Sequence, residues 1–88
     1  RYGGDEFSIL LPETDLKTAM DIADQIRGDV ENFDFSKHLR GHDITVTASI
    51  GISSFPETAT DLPAFKQKAD DSLYSAKEAG RNCIRCIK

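Results

Sequence analysis

The clearest pattern in the chain is an alternation of apolar and small polar residues between positions 44 and 53. The apolar positions are Ile44, Val46, Ala48, Ile50 and Ile52, and the positions between them are Thr45, Thr47, Ser49, Gly51 and Ser53. A period of two predicts a β-strand with one apolar face. The small polar face leaves room above it for a neighbouring element or a ligand.

Apolar residues recur at steps of three and four between residues 16 and 33. This stripe predicts a helix of about five turns, with its charged residues forming a solvated face. Thr14 or Asp15 can cap its first turn.

A second apolar stripe, between residues 62 and 76, predicts a second helix. Thr60 or Asp61 can begin this helix, with Pro63 in its first turn. Gly80 lies where a C-terminal cap is expected. Tyr74 is expected in the core or at its edge.

Short apolar runs at residues 7–11 and 83–87 predict two further strands. The predicted order, β-α-β-α-β, favours an α+β fold with one layer of sheet and one of helix. Gly3 and Gly4 indicate the tip of a β-hairpin, because glycines adopt the positive φ that tight hairpin turns need. The strand that leads into this tip is not in the chain, which leaves 7–11 as an open edge.

The chain has 88 residues, so we expect at most one domain. Its net charge is -4. The acidic balance and the lack of a basic stripe argue against a nucleic-acid partner, although a single nucleotide needs only a few cations. No apolar run is long enough to span a membrane, and no signal peptide is recognisable. We therefore expect a cytoplasmic location and no membrane contact from this segment.

Cys83 and Cys86, together with His38 and His42, could form a four-ligand zinc site. The alternative is two reduced thiols packed at the end of a sheet. The alternative is favoured, because the order of ligands is reversed from the usual one and a three-residue step along a strand points side chains to opposite faces.

Two glycines, Gly3 and Gly4, run directly into two carboxylates, Asp5 and Glu6. Glycines let a backbone approach a phosphate or a sugar, and carboxylates suit a hard divalent cation. The pattern is typical of a metal-assisted nucleotide site. The competing interpretation is a turn with ordinary polar residues.

Three stretches of the chain resemble one protein family. The first seven residues, Arg1-Tyr2-Gly3-Gly4-Asp5-Glu6-Phe7, resemble the signature hairpin of the GGDEF domain family, the diguanylate cyclases. Residues 46–52 are similar to the central strand of that family, and residues 69–82 are similar to its last helix and turn. The resemblance runs the whole length of the chain in order.

The resemblance implies an enzyme that condenses two GTP molecules into cyclic di-GMP and releases two pyrophosphates. It implies Mg²⁺ or Mn²⁺ as the metal, and a second GGDEF domain facing the first in a homodimer. By the same resemblance, Gly3 and Gly4 would let the hairpin approach the nucleotide. Asp5 would bind the metal, and Glu6 would assist metal binding or deprotonate the attacking hydroxyl.

Lys77 and Arg81 match the pair of cations with which the family contacts the GTP phosphates. Their charge and reach suit that role. The alternative is that both only complement the negative end of the second helix.

The family pattern also includes residues upstream of the signature: a second metal-binding aspartate, guanine-reading groups and an Arg-x-x-Asp inhibitory site. We therefore interpret residues 1–88 as a partial GGDEF domain, without its N-terminal strand-helix portion. We expect the parent polypeptide to be an active cyclase and the 88-residue piece to be inactive alone. The alternative is a degenerate module that binds GTP or cyclic di-GMP, or regulates a partner protein, without turnover. The intact signature favours the enzyme.

Overall fold

The computed structural model describes residues 6–33 and 46–87. They form α1 (Leu16–Asn32), β1 (Ile50–Gly51), α2 (Leu62–Glu78) and β2 (Ile84–Arg85). The two strands pair in parallel, and α2 forms the crossover connection that a parallel pair needs. Two helices and a two-stranded parallel sheet agree with the predicted α+β class. Neither described helix is long and apolar enough to cross a bilayer.

Both helices begin where their capping residues predict. The Asp15 carboxylate accepts a hydrogen bond of 2.8 Å from the backbone N–H of Thr18. Asp61 accepts one of the same length from Ala64, and Pro63 lies in the first turn of α2. An aspartate at this position satisfies an N–H group that has no partner inside the helix.

The strands are shorter than the sequence pattern predicts. In β1, Ile50 pairs with Ile84 and Gly51 with Arg85, and no strand is assigned to 46–49. Residues 44 and 45 of the predicted strand lie outside the described residues. A strand extends only as far as its ladder, and β2 offers β1 only these two pairs.

The predicted strand at 7–11 is not confirmed, and so neither is the β-α-β-α-β order. Within 6–33 and 46–87, no segment forms a ladder with these residues. Phe7, Ile9 and Leu10 expose 69–74% of their surface. Their apolar character fits a strand, but a strand needs a hydrogen-bonded neighbour.

The core is built by buried residues of both helices and of the segment that follows β1. Ser72 and Ala76 of α2 are fully buried, and Ile52 just after β1 is 7% exposed. The small polar face of the alternating segment turns towards α2: Gly51 lies against the helix backbone, and Ser53 donates a 2.7 Å hydrogen bond to the carbonyl of Phe65. At these two positions α2 therefore fills the room above that face.

The expectation that Tyr74 lies in the core is wrong. Its side chain is 66% exposed on the outer face of α2. Its hydroxyl donates a 2.7 Å hydrogen bond to Glu78 one turn later, and this bond raises the pKa of Tyr74 above its ordinary value. Tyr74 follows Leu73 in the sequence, but helical spacing places it outside the buried stripe of α2.

Candidate functional site

A salt bridge joins two of the predicted site residues. The Lys77 ammonium lies 2.9 Å from the Glu6 carboxylate, although the residues are 71 positions apart. Lys77 stands in the last turn of α2, and Glu6 in the segment that precedes α1. Both side chains are about one-third exposed, at 33% and 37%. Such a pair stabilises the fold by about 1 kcal/mol at most, so a ligand can replace either partner at low cost.

Glu6, Lys77 and Arg81 line one cavity of about 800 Å³. Its other walls come from segments 7–11 and 46–54 and from the inner faces of α1 and α2. Most of these walls are apolar. The volume lies within the range of known ligand pockets, and a few converging charges in an apolar cavity are typical of binding sites.

The turn after α2 determines where Arg81 stands. The N–H of Gly80 donates to the carbonyl of Lys77 at 3.3 Å, and the N–H of Arg81 donates to that of Ala76 at 3.0 Å. This pair of bonds, with Gly80 at a φ of 110°, is a Schellman motif and confirms the predicted C-terminal cap. The exposed Arg81 therefore begins the chain segment that leaves α2.

The electrostatics of this end of α2 suit an anion with several charges. Lys77 and Arg81 bring two cations to the cavity, and Glu6 neutralises only one of them. The pair also complements the negative end of the α2 dipole. The positions of Lys77 and Arg81 are thus compatible with both interpretations, binding of phosphates and stabilisation of the C-terminal end of α2.

Gly3, Gly4 and Asp5 lie outside the described residues, and their predicted roles stay predictions. The Glu6 carboxylate is an oxygen donor of the kind that Mg²⁺ and Mn²⁺ prefer, so its chemistry fits the expected metal as part of a larger ligand set. Among residues 6–33 and 46–87, no three His, Cys, Asp or Glu side chains cluster closely enough to hold a metal ion.

The zinc alternative is tested only for its two cysteines, because His38 and His42 also lie outside the described residues. Cys83 and Cys86 are half-buried and are not joined in a disulfide. The Cys83 thiol donates to the carbonyl of Ala76 at 3.4 Å. This position next to β2 agrees with the interpretation as reduced thiols at the end of a sheet.

One group near the site is missed by the sequence pattern. The sequence pattern predicts Arg27 and Glu31 of α1 on a solvated face, but both make hydrogen bonds to Asn82, the residue after Arg81. The Arg27 side chain is only 22% exposed. Helical spacing predicts the pairing of Arg27 with Glu31, but nothing local indicates a contact with a residue 55 positions away.

Comparison with known proteins gives a consistent result. A family model described as "Diguanylate cyclase, GGDEF domain" matches residues 1–83. Diguanylate cyclase A of Treponema denticola is 39% identical over 88 residues, which cover 100% of this chain and 23% of that protein. Response regulator PleD of Caulobacter vibrioides is 37% identical over 84 residues, covering 96% of this chain and 18% of that protein.

A third relative is diguanylate cyclase DosC of Escherichia coli, which is 40% identical over 88 residues, covering 100% of this chain and 19% of that protein. The chain therefore spans about a fifth of the length of these curated relatives. No solved structure matches it significantly.

Proposed function

Because this chain belongs to the GGDEF family of diguanylate cyclase domains, we propose that the polypeptide containing it converts two GTP molecules into cyclic di-GMP. In each of two steps, the 3′-hydroxyl oxygen of one GTP bonds to the α-phosphorus of the other. The bond from that phosphorus to the bridging oxygen breaks, pyrophosphate leaves, and the hydroxyl proton passes to a base. Two domains face each other, and each holds one GTP.

The observation that supports this proposal is the contact between Glu6 and Lys77. It brings the end of the glycine-rich signature to the cationic end of α2, beside Arg81 and within one cavity. An acidic group for a metal or a proton thus lies next to cations for phosphate. Chemistry at the phosphorus of a nucleoside triphosphate needs this combination.

Lys77 and Arg81 are the residues that bind the triphosphate in this proposal. Negative charge builds up on the pyrophosphate as it leaves, and cations already in place stabilise that charge without rearrangement. Arg81 can hold two phosphate oxygens with its planar fork, whereas Lys77 acts as a point charge.

Glu6 is the acidic partner, together with Asp5. A divalent cation, Mg²⁺ or Mn²⁺, supplies Lewis-acid polarisation of the phosphates when bound, and Asp5 and Glu6 are the residues that would hold it. In the described arrangement Lys77 neutralises Glu6. When a triphosphate pairs with the Lys77 ammonium, the Glu6 carboxylate loses its counter-ion. Glu6 would then help to hold the metal or would accept the hydroxyl proton.

The test is to replace Glu6 by Gln and Lys77 by Met, separately, in the native polypeptide that contains the chain. We expect each change to lower the rate of cyclic di-GMP formation by about 10²–10³-fold, as measured by chromatography of the product. Asp5→Asn is expected to behave like Glu6→Gln. A wild-type rate in the Glu6 or Lys77 variant would exclude that residue from the reaction.

Lys17→Met is the matched control for Lys77→Met. Lys17 is 88% exposed on α1, and its described ion pair is with Asp21 one turn away. Its replacement is expected to leave the rate unchanged. If the wild-type polypeptide binds GTP but releases no cyclic di-GMP, the degenerate binding module is the better description.

A further inference from the structure

Arg27 of α1 is the centre of a side-chain cluster that reaches the turn after α2. Its Nε donates to Asp24 at 2.9 Å, and its Nη1 donates to Glu31 at 3.3 Å and to the amide oxygen of Asn82 at 3.1 Å. The carboxylates of Asp24 and Glu31 raise the pKa of Arg27 above its ordinary value. Arginine is protonated throughout the physiological pH range, so the cluster keeps its cation there.

Asn82 is held from three directions. Its amide oxygen accepts from Arg27, and its amide nitrogen donates to Glu31 at 2.6 Å. Its backbone N–H donates to the hydroxyl of Ser49 at 3.2 Å. These bonds fasten the turn to α1 on one side and to the segment before β1 on the other.

The turn needs such support because of its backbone conformation. Gly80, Arg81 and Asn82 have φ values of 110°, 65° and 47° in succession. Glycine adopts a positive φ freely and asparagine tolerates it, but for arginine it is unfavourable. The conformation at Arg81 therefore depends on the contacts that hold its two neighbours.

From these contacts we infer that Arg27 is a positioning residue that fixes Asn82 and thereby presents Arg81 to the triphosphate. The inference rests on the proposed function, in which Arg81 binds phosphate. It assigns to Arg27 no contact with the substrate. Loss of Arg27 removes one of the bonds that hold Asn82, so that part of the order around Arg81 has to be gained at the moment when GTP binds.

The experiment compares Arg27→Met, Arg81→Met and the double variant in the native polypeptide, with GTP and Mg²⁺ as substrates. We expect Arg81→Met to raise the KM for GTP. Arg27→Met should raise the KM for GTP about tenfold and change kcat less. The reason is that the contact of Arg81 with phosphate is present both in the bound state and in the transition state, and is weakened in both. Because both changes affect the same contact, that of Arg81 with phosphate, the double variant should be no worse than Arg81→Met alone.

A merely structural role of Arg27 predicts a different result. Fewer folded molecules lower kcat per mole of protein and leave KM unchanged, and this loss adds to that of Arg81→Met. Such a result overturns the inference. If Arg81→Met changes neither KM nor kcat, Arg81 does not bind phosphate, and this part of the proposed function is wrong.

Arg27→Lys keeps the experiment decisive even if Arg27→Met fails to fold. An ammonium can still pair with Asp24 and Glu31, but it lacks the planar fork that also reaches Asn82. We expect a thermal midpoint near that of the wild type together with a raised KM. A wild-type KM in Arg27→Lys contradicts the inference, and Lys17→Met on the same helix serves as the control.

Discussion

Gly51 is the residue at which β1 lies closest to α2. A methyl group on Gly51 would overlap the backbone nitrogen of Leu73 and the backbone oxygen of Ala69. Neither backbone atom can move without shifting the helix that carries Lys77. We expect Gly51→Ala to lower the free energy of unfolding by about 2 kcal/mol or more, as measured by denaturant unfolding.

Gly28 provides the matched control for this substitution. It lies inside α1, and a methyl group there meets no atom within 4 Å. Gly28→Ala should raise the free energy of unfolding by about 0.5–1 kcal/mol, because alanine loses less backbone entropy in a helix. Equal effects of the two substitutions would show that the close contact at Gly51 does not stabilise the fold.

At the scale of elements, the helices could be predicted from the sequence and the strands only in part. A helix forms its hydrogen bonds within itself, so the start of each helix depends on residues close in sequence. Asp15 caps α1 and Asp61 caps α2 in this way. A strand depends on a partner distant in sequence. The alternation around Ile50 predicts which side chains face together, but the ladder ends where β2 ends.

The cap of α1 also predicts a dependence on pH. The hydrogen bond from Thr18 lowers the pKa of Asp15 below its ordinary value of 3.8. The bond stabilises the fold fully above pH 3.8, where Asp15 is ionised in the unfolded chain too, and this contribution disappears as pH falls through the lower folded pKa.

Replacement of Asp15 by Asn isolates this contribution. Asparagine caps helices about as well but does not titrate, so the thermal midpoint near neutral pH should be close to that of the wild type. Below pH 3.8 the wild type should lose more stability than the variant. Parallel midpoint curves for the two proteins would show that Asp15 does not contribute to the acid sensitivity.

At the scale of the whole molecule, the candidate site could be predicted from the sequence where its residues belong to a short motif. Glu6 and Lys77 were chosen from sequence, and they are in contact in the structure. The support of Arg81 by Arg27 was not predictable, since it joins a charged helix face to a turn that only the fold brings near. Short motifs indicate candidate reactive groups, whereas the residues that hold those groups depend on tertiary packing.

The described surface of the molecule bears on what the 88 residues can do alone. Phe7, Ile9 and Leu10 are each more than two-thirds exposed, in the same segment as Glu6. The cavity that this segment lines measures about 800 Å³ and is mostly apolar. Apolar surface of this kind normally packs against further protein, and catalysis requires that the reacting groups be held in a near-attack geometry.

We therefore predict that the isolated 88-residue chain, given GTP and Mg²⁺, forms no cyclic di-GMP, while the native polypeptide that contains it does. A hard cation also needs several oxygen ligands, and in the proposed function Glu6 supplies only part of them. The isolated chain should bind the dye ANS more strongly per domain than the native polypeptide, because its apolar surface is open. Turnover by the isolated chain at a rate near that of the native polypeptide would contradict the prediction and would show that residues 1–88 form a sufficient active site.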